Sequence, residues 1–231
     1  MRIFTVIRVM AALSVLFITS PADAEGNSLR YNQHYRSLEE LNKSNILFNT
    51  QYESLTDIFK GNIIDNKNRV IGVIRDVYIN PYGAITSVGA EFDRLRLRQS
   101  VPLPYQQMGI RPTNSGYALG FDAKEIEDMY PSLLANVEPA AGSGREVFSV
   151  RALKNSRVKT PDGRVVGRVS DVLFAALGGR AEALYITLET GMQRGKSAAV
   201  PFGSVRLPQS GDGVVMEADQ AKALEDFVRG N

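Results

Sequence analysis

The sequence contains no cysteine and a single histidine, His34, among its 231 residues. Without cysteine, the chain can form no disulfide bond and can carry no lipid on a cysteine side chain. One histidine also leaves a zinc or transition-metal site without its usual ligands, so we expect no metal and no cofactor. A Ser-His-Asp site would have to recruit His34 from a polar N-terminal stretch, and no Gly-x-Ser-x-Gly motif accompanies it. These absences favour a protein that is not an enzyme.

A strong charge of either sign is also missing. The 27 Lys and Arg residues nearly balance the 25 Asp and Glu residues, which gives a formal net charge of +2. Domains that bind nucleic acid are usually strongly basic. We therefore expect no nucleic-acid partner.

The first 24 residues are typical of a secretory signal peptide. Arg2 and Arg8 give a positive start, residues 9–18 are almost wholly apolar, and the small residues of 22–24 follow. The apolar stretch is about half of the roughly twenty residues that a membrane-spanning helix needs, which leaves an uncleaved anchor as the alternative. Cleavage after Ala24 leaves 207 residues with a formal charge of +1. We expect a periplasmic or otherwise exported protein of a bacterial-type cell envelope.

The sequence does contain a short phrase that occurs twice. Residues 70–77 read Val-Ile-Gly-Val-Ile-Arg-Asp-Val, and residues 165–172, 95 positions later, read Val-Val-Gly-Arg-Val-Ser-Asp-Val. An internal repeat of this kind indicates two similar modules. Short β-rich segments and turn motifs surround both copies, and a short helix with an apolar face follows each set. The sequence therefore predicts a mainly β protein of two small β-barrel modules, each ending in a short α-helix, after a signal peptide.

The composition divides the chain into five segments. The predicted segments are a signal peptide at 1–24, a polar arm at 25–56, a first module at 57–133, a linker at 134–146 and a second module at 147–231. The arm is expected to be extended or partly helical. In the first module, Asp122 and Glu125 form a capping-box pattern that opens a helix, which Pro131 should end. In the second module, Asp219 should cap the closing helix.

The repeated phrase has glycine and aspartate at the same places in both copies. Gly72 and Gly167 indicate a bend or the close approach of another backbone. Asp76 and Asp171 are interpreted as structural carboxylates that accept N–H bonds from the turn after the strand. A catalytic or metal-binding role is the alternative, but no second ligand or base accompanies either residue.

Strict alternation along each copy predicts which side chains share a face. In the second copy it places Gly167, Val169 and Asp171 on the core face, and Val166, Arg168, Ser170 and Val172 on the solvent face. In the first copy the corresponding outer face carries Val73 and Val77 and is far more apolar. A strand that is apolar on both faces is usually covered on both. We expect this face to contact the second module, the arm or a partner.

One stretch of the second module is similar to a known family. Residues 163–174 read Gly-Arg-Val-Val-Gly-Arg-Val-Ser-Asp-Val-Leu-Phe, an apolar strand follows at 184–188, and Ala-Val-Pro-Phe stands at 199–202. This pattern resembles the PRC-barrel domain, which is found in the H subunit of photosynthetic reaction centres and in a ribosome maturation factor. The first copy resembles it less closely, since Asn68 stands where the turn glycine would be. The resemblance implies tandem small β-barrels that act as docking or assembly modules, and it brings no catalytic residues.

Three arginines form the best candidate for a binding surface. Arg94, Arg96 and Arg98 alternate with two leucines, so they share one face of a predicted strand. They could contact an acidic protein or an anionic membrane, or they could be the solvated face of the strand. We expect an exported, non-enzymatic interaction or assembly module with a protein partner. The alternatives are a small-ligand binder or enzyme with a site between the modules, and a protein that binds a membrane surface through these arginines.

The signal peptide predicts the first residue of the exported protein. After expression of the full sequence in a bacterial host, N-terminal sequencing of the protein from the periplasmic fraction should start at Glu25, because signal peptidase cleaves after small residues such as those at 22–24. A membrane-bound form that still begins at Met1 would instead show an uncleaved anchor.

Overall fold

The structure is a computed structural model that describes residues 21–43, 46, 51–93, 100–113, 116–135, 147–176, 179–208 and 213–230. Side chains are described in these ranges except at 21–27, 130 and 133–135. Residues 1–20 of the predicted signal peptide lie outside this set. So do the arginines at 94, 96 and 98 and most of the predicted linker.

Within these ranges the strands form two sheets of seven. The first sheet contains β2 (Asn62–Ile64), β3 (Val70–Ile79), β4 (Ile85–Phe92), β5 (Val101–Pro104), β6 (Arg111–Thr113), β7 (Gly116–Ala118) and β8 (Phe148–Ser149). The second contains β1 (Tyr52–Ser54), β9 (Arg157–Lys159), β10 (Val165–Ala175), β11 (Ala181–Leu188), β12 (Ser197–Pro201), β13 (Val205–Arg206) and β14 (Val214–Met216). The predicted mainly β fold is confirmed.

The two sheets have the same topology. Their strand orders are β5-β4-β3-β2-β7-β6 and β12-β11-β10-β9-β14-β13, and in each the fourth and fifth strands of that order are parallel while the others are antiparallel. Each sheet curls into a half-barrel. One continuous hydrophobic cluster contains buried residues of both sheets, so the two halves share a core.

Five α-helices and one short 3₁₀ helix accompany the sheets in the described ranges. They are α1 (Pro21–Asn42), α2 (Leu55–Ile58), α3 (Ala123–Ala135), α4 (Val150–Leu153) and α5 (Ala218–Gly230), and the 3₁₀ helix is Phe202–Ser204. Helices α4 and α5 begin 95 positions after α2 and α3, respectively, which is the offset of the repeated phrase. The inner face of α5 is apolar, as predicted, with Ala223, Leu224, Phe227 and Val228 buried.

The closing helix of the first half begins as predicted but ends later. Asp122 accepts hydrogen bonds from the backbone N–H groups of Lys124 and Glu125, both at 3.0 Å, and the Glu125 side chain accepts from the Asp122 N–H at 2.7 Å. This is a capping box. Helix α3 then continues through Pro131 to Ala135, so the predicted stop before Pro131 is wrong. Proline removes one backbone donor, but its φ suits a helix, and a single proline need not end one.

A β-bulge in each repeated strand overturns the predicted faces. The register of β10 against β11 shifts between Val169 and Asp171, and that of β3 against β4 shifts between Ile74 and Asp76. A bulge adds one unpaired residue, so the strict alternation of faces is broken. Val172, predicted to face solvent, is therefore fully buried in the shared core.

The same bulge changes the interpretation of the first strand. Val77 has an exposed fraction of 1 % and lies in the core with Ile74 and Ile79. Val77 is therefore covered by the core that both halves share, and the role of Val73 and Val77 in binding a partner stays a prediction. Val73 lies before the bulge and is half-buried. Val166 of the second copy was also predicted to face solvent, but it is fully buried, beside a second register shift between Val165 and Gly167 against β9.

The polar arm contributes more structure than its composition predicts. Helix α1 spans 22 residues, begins before the predicted cleavage site, and packs on α5 and β12 of the second half. Leu38 of α1 is fully buried in the shared core. The helix has few apolar residues, so its stability depends on these tertiary contacts.

Gly72 and Gly167 occupy places that admit no side chain. A Cβ on Gly72 would lie 2.3 Å from the Glu91 carbonyl oxygen, and one on Gly167 would lie 2.4 Å from the Thr187 carbonyl oxygen. Both neighbours are backbone atoms of the adjacent strand, which cannot move aside without breaking the ladder. Close backbone approach is therefore the constraint that glycine satisfies here.

Gly167→Ala should destabilise the protein by about 3 kcal/mol, because overpacking against a fixed backbone is costly. Urea denaturation followed by circular dichroism measures the change in the free energy of unfolding. Gly203→Ala is the matched control, since a Cβ there would meet no atom within 4 Å. Equal stability of Gly167→Ala and the control would contradict the packing argument.

Candidate functional site at the exchanged strands

The two halves of the chain exchange one short strand each. Strand β1 precedes the first half but pairs with β10, with Ser54 opposite Leu173. Strand β8 precedes the second half but pairs with β3, with Ser149 opposite Tyr78. Ser149 follows Ser54 by 95 positions, and Leu173 follows Tyr78 by the same number. The exchange is therefore reciprocal and nearly symmetric.

A second contact between the halves joins their hairpin turns. Ile85 donates a backbone hydrogen bond to the Gly179 carbonyl at 2.7 Å, and Ala181 donates one to the Gly83 carbonyl at 2.8 Å. Ala84 and Arg180 form an antiparallel bridge between these two bonds. The two sheets thus meet through backbone bonds as well as through the exchanged strands.

Asp76 holds the segment that enters the first sheet. Its Oδ2 accepts from the Ser149 hydroxyl at 2.6 Å, and its Oδ1 accepts from the backbone N–H of Arg151 at 3.1 Å and of Val77 at 2.8 Å. The Ser149 hydroxyl also accepts from the Ala152 N–H at 3.0 Å, which caps α4. One carboxylate therefore ties β3 to the start of the incoming helix.

Asp171 makes the equivalent attachment in the second sheet. Its Oδ2 accepts from the Thr56 hydroxyl at 2.7 Å, and its Oδ1 accepts from the Val172 N–H at 2.8 Å. Lys154 donates to the Thr56 hydroxyl at 2.6 Å and lies 3.8 Å from the Asp171 carboxylate. The bulge beside each aspartate aims its side chain towards the exchanged segment.

These bonds correct the predicted partners of both aspartates. The sequence predicted donors in the turn that follows each strand, whereas the donors are the next residue and the segment from the other half. A repeat shows which residues are equivalent, but it does not show that the two copies contact each other. In the Thr56 cluster the ammonium group of Lys154 occupies a lone pair of the hydroxyl. The hydroxyl is thus held from both sides, by an acceptor on Asp171 and a donor on Lys154.

Glu53 and Tyr117 join the two sheets at a third place. Glu53 lies on β1 of the second sheet, and Tyr117 lies on β7 of the first and donates to its carboxylate at 2.6 Å. Burial raises the pKa of Glu53, and the bond from Tyr117 offsets part of this effect. Burial and the same bond raise the pKa of Tyr117. This pair could not be predicted from the sequence, because Glu53 belongs to a polar arm without a motif.

Helix α1 docks on the second half through a few side chains. The Tyr31 hydroxyl donates to Asp226 on α5 at 2.9 Å, and the Nδ1 atom of His34 lies 3.1 Å from the Ser204 hydroxyl. His34 has an exposed fraction of 5 %, and its burial lowers the pKa of the imidazole, against an opposite effect of Asp219. The single histidine is thus part of a helix-docking contact.

Two surface cavities lie on the second half. One, of about 240 Å³, is lined by Ser204, Arg206, Glu217 and Gln220 among others, and an Arg206–Glu217 ion pair forms part of its wall. The other, of about 250 Å³, is lined by Arg164, Met192, Glu225 and Arg229 among others. Both are smaller than the roughly 300–1,000 Å³ of a typical small-molecule site. Among the described residues, no cluster of His, Asp and Glu could hold a metal ion.

The remaining predicted surface residues are distributed as follows. Arg94, Arg96 and Arg98 lie outside the described residues, so their arrangement stays a prediction. No helix in the described part of the chain is both long and apolar enough to cross a membrane.

Glu53 gives the stability of the protein a defined pH dependence. Its folded-state pKa is raised, so its contribution to stability is complete below the pKa of the unfolded state and is lost as the pH rises through the folded-state pKa. Glu53→Gln keeps an acceptor for Tyr117 and removes the titration. The difference in free energy of unfolding, variant minus wild type, should therefore increase as the pH rises above the ordinary glutamate pKa of about 4.3.

Urea denaturation at several pH values measures this difference. Glu182→Gln, at an exposed position of β11, is the matched control and should follow the wild type. A difference between Glu53→Gln and the wild type that stays constant, or shrinks, with rising pH would show that burial of the carboxylate is not the dominant effect.

Comparison with known protein families gives a match that covers most of the second sheet. Residues 145–221 match the family model of the PRC-barrel domain. No curated protein matches the chain. The matched range runs from just before β8 into the first turn of α5, and it leaves β2 to β7 outside. The resemblance of the second copy is therefore confirmed, with residues 145–221 matching the PRC-barrel domain.

Proposed function

We propose that this chain is an exported, non-enzymatic assembly module of the cell envelope, built from two PRC-barrel-like modules in tandem. The observation that carries the proposal is the match of residues 145–221 to the PRC-barrel domain, which suggests a small protein-interaction module. The signal-peptide pattern of residues 1–24 supports the envelope location. A protein partner, not a small molecule, is the ligand we expect.

The tandem architecture rests on the equivalence of the two sheets. They share strand order, the placement of one parallel pair and the offset of 95 between equivalent helices. The bulge and the aspartate recur in both, and each aspartate binds the segment that arrives from the other half. We interpret the first sheet as a second PRC-barrel-like module that is more diverged in sequence.

The polar clusters favour a binding role over catalysis. The carboxylates of Asp76 and Asp171 are occupied by hydroxyl and backbone donors that hold the exchanged strands. Thr56 is occupied on both sides, by Asp171 and Lys154. The two aspartates of the repeat thus stabilise the fold, and we expect a partner to bind the outer surfaces of the sheets.

Reversal of the arginine charges tests the expected surface. If Arg94, Arg96 and Arg98 bind an acidic protein, their joint substitution by Glu should abolish a defined crosslinked complex in the native envelope, because each new carboxylate would repel the partner. The matched control replaces the exposed arginines at 157, 180 and 194 by Glu, and this variant should keep the complex.

The same two variants distinguish a protein partner from a membrane. Vesicles that contain an anionic phospholipid should bind neither variant nor the wild type if the surface docks a protein. Salt-sensitive vesicle binding by the wild type that only the first variant loses would support the membrane-surface alternative instead. Recovery of the native protein from the cytoplasm with an intact Met1 would contradict the envelope role.

A further inference from the structure

The attachment of α1 to the second half closes the outer side of an edge strand. Strand β12 pairs with β11 on one side and ends the sheet order on the other. On that outer side the Asn42 side chain of α1 donates to the Ala199 carbonyl at 2.8 Å and accepts from the Ala199 N–H at 2.9 Å. Leu38, Tyr31 and Tyr35 anchor the helix in the shared core. A group that changes the strength of this attachment therefore acts on the cover of β12.

His34 lies inside this attachment. Its exposed fraction is 5 %, and its Nδ1 atom lies 3.1 Å from the Ser204 hydroxyl of the 3₁₀ helix. Imidazole is the side chain whose ordinary pKa, about 6.5, puts its change of charge between about pH 5 and pH 8. His34 is the one histidine of the sequence. Mild acid can therefore change the charge of this buried contact at a single residue.

Two polar atoms of the contact have no hydrogen-bond partner in the described part of the chain. They are Nε2 of His34 and Oδ2 of Asp219, and both are buried. The other carboxylate oxygen of Asp219 accepts from the Gln220 N–H at 2.9 Å, in the first turn of α5. A neutral imidazole has one N–H donor, whereas an imidazolium has two. A buried charged donor without an acceptor costs more than a neutral one, so the arrangement suits the neutral form.

Asp219 is the counter-charge that faces His34. Burial lowers the pKa of the imidazole, and Asp219 on α5 raises it by less. Strand β12 and the 3₁₀ helix contain no charged residue. The imidazolium would therefore be only partly compensated.

The other titratable groups around this contact are exposed or bonded to each other. Tyr31 of α1 donates to Asp226, and Lys222 lies over its ring. Tyr35 packs edge-on against Phe227. The remaining charged residues near this contact are two exposed arginines of α1 and one ion pair at the wall of the cavity beside Ser204, namely Arg30, Arg36 and the pair Arg206–Glu217.

We propose that His34, Ser204 and Asp219 form an acid-sensitive contact, through which protons weaken the attachment of α1 to the second half. The neutral imidazole shares one hydrogen bond with Ser204 and brings no charge into the contact. The protonated imidazole brings a charge and a second donor into a buried place, and Asp219 offsets part of this cost. The inference concerns the packing of α1 and stands independently of the envelope role.

The direction of the effect follows from the pKa of His34. Its folded-state pKa is lower than the unfolded-state value of about 6.5, so its contribution to stability is complete above that pH and is lost as the pH falls through the folded-state pKa. Glu53 acts in the opposite direction, since its contribution is lost as the pH rises. A variant that removes the titration of His34 alone separates the two effects.

An exchange of two neighbouring residues gives that variant. Gln33→His combined with His34→Gln moves the single imidazole to an exposed position of α1 and keeps the composition of the chain. Nuclear magnetic resonance of the imidazole C–H groups in the untagged proteins measures each pKa, because each chain has one histidine. We expect a pKa below about 6.5 in the wild type and close to 6.5 in the exchanged variant.

Hydrogen exchange of the α1 amides measures the attachment itself. The opening constant of the wild type, divided by that of the exchanged variant, should rise as the pH falls from about 7 to about 5, because only the wild type takes up a proton in the buried contact. The ratio cancels the pH dependence of intrinsic exchange and of Glu53, which both proteins share.

Asp219→Asn tests the counter-charge and should lower the pKa of His34 further. Glu225→Gln, on the same helix but paired with Arg164, is the matched control and should leave that pKa unchanged. Cooperative urea unfolding checks the fold of every variant, and if the exchanged variant does not fold, the titrations of the wild type and of Asp219→Asn decide.

Three results would overturn the proposal. The first is a wild-type pKa of about 6.5 or higher, since burial would then not disfavour the imidazolium. The second is a ratio of opening constants that does not change with pH. The third is an unchanged pKa of His34 in Asp219→Asn, because another group would then face the imidazole.

Discussion

The structure depends on the reciprocal exchange of two short strands. Neither seven-stranded sheet is complete with residues of its own half, because β1 belongs to the second sheet and β8 to the first. The exchange is held at the bulge of each repeated strand, where Asp76 and Asp171 accept hydrogen bonds from hydroxyl groups of the incoming segments. The shared core, the capped helices α2 and α4 and the contact between the hairpin turns all follow from this arrangement. The two halves therefore share one core and complete each other's sheets.

Much of the fold could be predicted from the sequence, because its signals are local or repeated. The 95-residue offset predicted two similar β-rich halves, and the capping box of Asp122 and Glu125 predicted the start of α3. The bulges at Arg75 and Ser170 could not be predicted, since one unpaired residue leaves no mark in composition but reverses the faces that follow. The exchange was missed for a related reason: sequence periodicity describes each strand and says nothing about its distant partner.

The candidate site, too, could be predicted from the sequence only in part. Asp76 and Asp171 were conspicuous because they recur, and their structural role was expected, yet their partners come from the other half of the chain. Asn42 and Glu53 were overlooked because the arm has no apolar period and no motif. Their importance comes from position: one closes a sheet edge, and the other carries a carboxylate between two sheets. A polar segment can thus be organised by the surface that receives it.

The exchanged strands also constrain the order in which the molecule can be made. A chain that is synthesised or translocated from its N-terminus presents β1 long before Leu173 exists to pair with it. The first sheet, in turn, waits for Ser149, although its own strands end at Ala118. Such distant pairings cannot form until most of the chain has emerged. Neither sheet can therefore be complete before residues of the second half have emerged.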